Sequence, residues 1–250
     1  MKREIIFNRE FLKSNFMELS GIETDQERGK EAPTLQKSWE GYEKIVLPDH
    51  NIEVSNNKFD FLVSERKSRR KFLDKPILLK ELSYLLWSTQ GVKLTKSVKS
   101  GSVSFRTVPS GGARHPLETY LMVKNVEGLN EGLYLYLPFE HSLIFIKSFE
   151  NFDERLVEAL KGQKWSSFSA VTFFWVAICY RAEWKYDIAS HKMILLDAGH
   201  VCQNLYLASE SINCGTCAIA AYNQKKSDQL LGVDGNNEMV VYISPVGKVL

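Results

Sequence analysis

Residues 170–212 read AVTFFWVAICYRAEWKYDIASHKMILLDAGHVCQNLYLASESI. Two apolar segments of different period stand side by side in this stretch. Ala170 to Tyr180 is a nearly continuous run rich in β-branched and aromatic residues, the pattern of a buried strand. It is far too short to cross a bilayer as a helix. From Ser190 to Ile212 the period lengthens. Ile194, Ala198, Val201, Leu205, Ala208 and Ile212 fall on one stripe of a long helix. A buried strand followed by a long helix with one apolar stripe calls for a sheet with helices packed on it.

Working outward, PILLKELSYLLWSTQG (Pro76 to Gly91) sets Leu79, Leu82, Leu85 and Leu86 at helical spacing and stops at the glycine. Thr119 to Val126, Gly132 to Leu137 and Ser142 to Ile146 read as strands, the last two flanking the turn PFEH. Asn151 to Gly162 reads as a short amphipathic helix. Met239 to Ser244 reads as a last strand, ended by Pro245. Strands and helices alternate without a regular βαβ rhythm, so the fold class is α+β. Residues 1–60 are polar and aperiodic. They read as an N-terminal extension with a few anchors (Phe16, Trp39, Tyr42), and residues 61–250 as the folded domain. No internal repeat or low-complexity tract is visible.

Composition narrows the classes of function. The chain has 250 residues, 44% hydrophobic and 25% charged, enough for one substantial core. Lysine and arginine number 32 against 30 acidic residues, a net charge of +2. That provides no broad field for nucleic acid or a membrane surface. The N-terminus lacks the continuous apolar core of a signal peptide. The four cysteines need not be disulfides in such a chain, and the reading is a cytoplasmic protein with reduced thiols.

Within this near-neutral chain, SERKSRRKF (64–72) is a dense cationic cluster. Arg66, Ser68 and Arg70 alternate, so an extended backbone sets them on one face. Two guanidiniums and a hydroxyl suit a phosphate; the competing reading is a solvated basic turn. RTVPSGGARHPLE (106–118) holds a small-residue turn, Ser110, Gly111 and Gly112, between two prolines. It reads as a loop that lets backbone amides approach a flat ligand or phosphate, or as a purely structural loop. It is neither a Walker loop nor a dinucleotide fingerprint. Lys185 and Tyr186, between the buried strand and the long helix, form a general acid/base pair or a merely interfacial one. His200 reads as a hydrogen-bonded helix histidine. CGTC (214–217) follows a helix rather than opening one, which disfavours a redox pair. No second ligand pair stands at zinc spacing, so no metal is expected.

Taken in order, RKSRRKF, LSYLLWSTQGV, RTVPSGGARHPLETYLMV, WKYDIASHKMILLDAGHVCQNLYLA and CGTCAIAAYNQKKSDQLLGVDGNNEMVVYISPVG resemble the nitroreductase-like flavoproteins. The nearest resemblance is to the SagB-type dehydrogenase branch, whose peptide-modifying members oxidise azolines to azoles. TDQERGKEAPTLQK and IVLPD in the extension also resemble that branch. The resemblance implies an α+β fold with a central mixed, mostly antiparallel sheet flanked by helices. It further implies a homodimer with FMN at the subunit interface.

On that template Arg66, Ser68 and Arg70 match the motif that grips the FMN phosphate. Gln90 matches the flavin-side polar contacts. Pro109, Ser110, Gly111 and Gly112 match the loop against the isoalloxazine from the partner subunit. The segment Ala218 to Ala221, with Ala220 and Ala221 foremost, matches the backbone facing flavin N5 and O4, where amide donors stabilise the reduced ring. Lys185 and Tyr186 match the acid/base pair of azoline oxidases. The chain departs from the pattern in two places. It stops soon after PVG, leaving Lys248 as the substitute for a further basic phosphate contact. ARHP replaces an aromatic-Pro end of the loop, which sets Arg114 and His115 on the substrate side.

The implied chemistry is hydride transfer between flavin N5 and a small organic or peptide-derived substrate. NAD(P)H is a candidate electron donor, and alternation at one site gives ping-pong kinetics. An azoline oxidase of ribosomal peptide maturation is the narrower alternative, with Lys185, aided by Tyr186, removing the ring proton. A non-catalytic flavin-binding subunit is the alternative from another class.

Overall fold

In the buried run that opens this reading, alternate side chains face opposite layers of apolar residues. Val171, Phe173, Trp175 and Ala177 belong to one core cluster, Phe174 and Val176 to the other. A strand whose neighbours on both faces are apolar must lie at the centre of a sheet with helices on each side. The computed structural model describes residues 3–14, 16–99 and 101–250. In chain order the elements are α1 (Arg3–Glu10), β1 (Lys44–Val46), α2 (Phe59–Glu65), α3 (Leu79–Gln90), β2 (Val92–Val98), β3 (Gly101–Arg106), β4 (Leu117–Val123), β5 (Gly132–Leu137) and β6 (Ser142–Lys147). There follow α4 (Phe152–Ala159), β7 (Val171–Ile178), α5 (Cys179–Tyr186), α6 (Ser190–Ser211), β8 (Cys214–Thr216), α7 (Gln224–Leu231) and β9 (Glu238–Lys248).

The main sheet has the order β1-β6-β5-β4-β7-β9-β8. Its strands pair antiparallel, and parallel pairing is confined to isolated bridges such as Ser68 to Thr216 and Ile77 to Val126. This is the mixed, mostly antiparallel sheet the resemblance implies. Leu82, Leu85 and Leu86 of α3 and Ile194, Ala198, Val201 and Leu205 of α6 join the first cluster. Leu156 of α4 and Leu230 and Leu231 of α7 join the second. The α6 stripe therefore packs as its spacing predicts. The side-chain carboxylate of Glu81 accepts the Leu78 amide at the start of α3, and Gly91 closes the helix by bonding to Trp87 O.

Several expectations are corrected. β9 does not end at Pro245 but runs on to Lys248. β8 pairs only with Val246, Gly247 and Lys248, so the donor that Pro245 lacks is not needed there. The buried run ends as a strand at Ile178, and Cys179–Tyr186 is already helix. Lys185 and Tyr186 thus sit on the last turn of α5. The N-terminal residues are more than an arm, since β1 pairs with β6 and Leu47 is buried in the core. Trp39 packs on the second cluster, while Tyr42 is half exposed. A three-residue strand is too short for its period to be read. The β2–β3 hairpin was not anticipated, although VKLTKSV and GSVSFR are compatible with it. The four cysteines are buried and unpaired, as expected. No described helix is long and apolar enough to cross a membrane.

The two-sided burial predicts a large contrast within one substitution type. Phe173→Ala, at a fully buried position, should cost about 3–5 kcal/mol in urea unfolding. Phe168→Ala, at a residue 69% exposed, should stay within about 0.5 kcal/mol.

Candidate active site

The basic cluster is sorted by its neighbours. Arg69 turns inward to Glu210, with its Nε and Nη2 donating at 3.2 and 2.9 Å, and is thereby neutralised. Arg66 and Arg70 meet no carboxylate among the described residues. The Arg66 guanidinium lies 5.4 Å over the Tyr206 ring and that of Arg70 lies 5.9 Å over the Trp165 ring. Ser68 Oγ is 3.0 Å from the Tyr206 hydroxyl. Arg66 and Ser68 therefore converge on Tyr206, whereas Arg70 rests on a different ring.

Tyr206, on α6, was missed in the sequence. Its hydroxyl also accepts the Ala218 amide at 2.8 Å, tying the basic segment to the chain after β8. The amides of the next exposed residues, Ala220 and Ala221, donate to nothing among the described residues. They are free for a ligand, while Ile219 N is bound to Ile243 O. The only signal for Tyr206 is a tyrosine beside the apolar stripe.

The glycine loop and the Lys-Tyr pair meet each other. Gly112 has φ 57°, and a Cβ there would overlap the Tyr186 hydroxyl and approach Lys185 Cδ to 3.0 Å. A Cβ on Gly111 would lie 2.5 Å from Met193 Cε. The positive φ and the close approach together require glycine at 112, whereas at 111 the Met193 side chain could give way. Asp197, a second residue missed in the sequence, anchors the loop from α6. It accepts Ser110 Oγ at 2.5 Å and the Gly111 amide at 3.3 Å. Burial pushes its carboxyl above the usual range, opposed by these two bonds. Lys185 Nζ lies 5.5 Å over the Tyr186 ring. Burial also raises the Tyr186 hydroxyl, so it stays protonated at neutral pH and acts as a donor.

Other expected contacts are engaged inside the fold. Gln90 is buried, accepts from Arg106 Nη1 at 3.0 Å and donates to Leu117 O at 3.4 Å. The Lys248 ammonium donates to Glu81 at 2.5 Å and to Ile212 O at 3.2 Å, so its charge is neutralised at α3. Arg114 turns inward, 3% exposed, donating to Arg181 O and stacking 4.8 Å over Trp184. His115, by contrast, lines an open cleft of about 460 Å³ with Pro109 and Ser110. Burial first, then the Arg106 charge, hold its imidazole down to about 3, so it is neutral. Burial pushes the Cys202 and Cys214 thiols up to about 12, so neither is a ready nucleophile. CGTC overlaps the edge strand β8 and opens no helix. No group of three or more His, Cys, Asp or Glu that could hold a metal ion occurs among the described residues.

Known proteins bear on this arrangement. The model of the Nitroreductase family matches residues 63–248. A Methanocaldococcus jannaschii protein named as a nitroreductase is 31% identical over 205 residues, covering 82% of this chain and 96% of its own. The microcin B17-processing protein McbC of Escherichia coli is 28% identical over 216 residues, covering 84% and 74%. Among solved structures, a protein described as a nitroreductase from Anabaena variabilis superposes with TM-score 0.72 at 21% identity. It covers 92% of this chain, which spans only 43% of the Anabaena chain. The E. coli microcin synthetase McbBCD complex, bound to truncated pro-MccB17, superposes with TM-score 0.61 at 19% identity, covering 94% and 91%.

The neutral His115 leads to a pH dependence. An unfolded histidine titrates near 6.5, so the unfolded chain gains a proton that the fold refuses. The stabilisation is complete above that value and falls as the pH drops from there toward about 3. Between pH 7 and 5 the wild type should lose about 2 kcal/mol of urea stability that a His115→Gln protein keeps.

Proposed function

The chain belongs to the nitroreductase family, and we propose that it is an FMN-dependent oxidoreductase of the SagB type that acts as a homodimer in the cytoplasm. The observation that carries this reading is the convergence of Arg66, Ser68 and the Ala218 amide on Tyr206. It links a cationic segment to a stretch of free amides, as a phosphate-bearing planar ligand requires. The residues fit FMN. Two guanidiniums without carboxylate partners and a hydroxyl would hold its phosphate, and the amides of Ala220 and Ala221 would face its ring. Gly111 and Gly112 leave room for close approach, and Pro109 and Ser110 complete that loop. Arg69, Lys248 and Gln90 are engaged elsewhere and are left out of the cradle.

Asp197 anchors the glycine loop and Tyr206 anchors the basic segment, nine residues apart on one helix. At about 1.5 Å per residue the two half-sites lie about 14 Å apart along α6. In the homodimer reading each half-site is completed by the other half from the partner copy. The match to residues 63–248 supports taking 1–60 as an extension and 61–250 as the FMN-binding unit.

Bound FMN supplies hydride transfer at N5; the protein's own groups do the rest. The protonated Tyr186 hydroxyl donates a hydrogen bond to the substrate. Lys185, on the same helical turn, would take a proton from it when its own side chain is in the neutral amine form. NAD(P)H is one candidate donor of electrons. An azoline in a ribosomal peptide is the favoured special case, since the similarity to McbC spans most of this chain. The lysine and tyrosine packed against the glycine loop speak mildly against a non-catalytic flavin-binding subunit.

The purified protein should show flavin absorption bands, and heat should release FMN rather than FAD. A colourless protein that takes up no added FMN would break the reading. Arg66→Ala combined with Arg70→Ala should weaken FMN binding by about 10- to 100-fold in fluorescence titration.

Lys185→Ala should abolish turnover while FMN remains bound. Unchanged azoline oxidation by that variant would remove Lys185 from the chemistry.

A further inference from the structure

Beneath the glycine loop lies a charge imbalance that the site described above does not use. Arg106, Arg114 and Arg181 are 4%, 3% and 2% exposed, and one carboxylate, Glu118 at 3%, answers them. Arg181 Nη2 donates to Glu118 Oε1 at 2.5 Å. The remaining bonds of the three go to uncharged groups: Thr34 O, Leu35 O, Arg181 O and the Gln90 amide oxygen. Arg106 Nε, Arg114 Nη2 and Arg181 Nη1 are buried with no partner among the described residues. His115 beside them is neutral, so it adds no charge and removes none.

The mutual repulsion is direct. The Arg181 charge opposes that of both Arg106 and Arg114. Asp197, the nearest carboxyl of the loop, is bound to Ser110 and the Gly111 amide and is not among the groups that act on either arginine. Three buried cations against one anion leave two positive charges uncompensated. Buried charge without a counter-charge costs several kcal/mol, and a buried guanidinium cannot shed its proton at neutral pH.

The imbalance has an outlet. Arg106 lines the open cleft of about 460 Å³ together with Lys93, Pro109, Ser110, Ala113 and His115. Lys93 is exposed and adds a further cation at that cleft. No acidic residue lines it among the described residues. The cleft shares Pro109 and Ser110 with the glycine loop, whose Gly112 packs against Lys185 and Tyr186.

We propose that this cleft is an anion subsite that takes a carboxylate carried by the substrate, held by Lys93 at the surface and drawn by the uncompensated buried positive charge beneath it. The neutral His115 presents a ring that neither repels nor neutralises the carboxylate. Arg106, bound to Gln90 and Leu35 O, acts with Arg114 and Arg181 from below, raising the positive potential of the cleft without touching the ligand. The assignment of this carboxylate to the substrate rests on the oxidoreductase reading above; the anion site itself rests on the charges alone.

The test compares benzoate with benzamide, matched in shape and differing in charge, by calorimetric titration of the protein with and without added FMN. Benzoate should bind at least about tenfold more tightly than benzamide, as expected for a charge-assisted pair over a neutral one. Lys93→Glu, a surface change that leaves the core intact, should abolish that preference while benzamide binding stays the same. Equal binding of the two, or a benzoate preference unaltered by Lys93→Glu, would overturn the proposal. Benzoate preference in a protein that takes up no FMN would sustain the anion site and sink the flavin reading. FMN uptake without benzoate preference would do the reverse.

Discussion

Burial of the α6 stripe against the central sheet is the constraint on which the polar architecture depends. Ile194, Ala198, Val201 and Leu205 are held in the first core cluster, so the helix cannot rotate or slide without exposing them. With that face fixed, the angular positions of Asp197 and Tyr206 are fixed as well. Asp197 then meets Ser110 and Gly111, and Tyr206 meets Ser68 and Ala218. Two loops far apart in the chain acquire their places from one helix. The sheet contributes in the same way from the other side: β7 runs directly into α5, and this delivers Lys185 and Tyr186 to the glycine loop.

Charge is distributed by the same packing. Five cations crowd into a short extended segment, yet they have different fates. Arg69 is half-buried against Glu210 and serves the fold. Arg66 and Arg70 lie over aromatic rings, which hold a guanidinium in place while leaving its hydrogen-bonding edge free. Lys248 pairs with Glu81 between β9 and α3, and its charge is lost to any ligand. Exposure alone does not separate ligand groups from structural ones; the presence or absence of a nearby carboxylate does. By that criterion the buried arginines under the glycine loop stand apart, since their counter-charge is incomplete.

The N-terminal residues join this scheme through their backbone. Thr34 O and Leu35 O accept from Arg181 and Arg106, and the Lys37 amide donates to Glu118. A polar, aperiodic segment is thereby bound by carbonyls and amides that every sequence possesses, which is why composition gave no hint of the docking. Phe16 reaches further, its ring 5.9 Å from that of Tyr186. The extension thus touches Tyr186 as well as the arginine cluster.

The sequence alone determined the periodic elements: the α3 and α6 stripes, the buried β7 run, β5 and β6, and from them the α+β class. Apolar period is a property of the chain itself, because each face must find a buried partner whatever the topology. It also singled out Arg66–Arg70, Pro109–Gly112 and Lys185–Tyr186 as candidate segments, since each is local in the chain. Only the tertiary structure decided which of those residues remain free. That Arg69 is paired while Arg66 is not, that Gln90 is locked to Arg106, and that Arg114 turns under Trp184 depend on partners many residues away. The same holds for β9 passing through Pro245, which is permitted by where β8 begins to pair. Asp197 and Tyr206 escaped notice for that reason. Hydrogen-bond and charge partnership are pairwise and non-local, so no single stretch of sequence contains them.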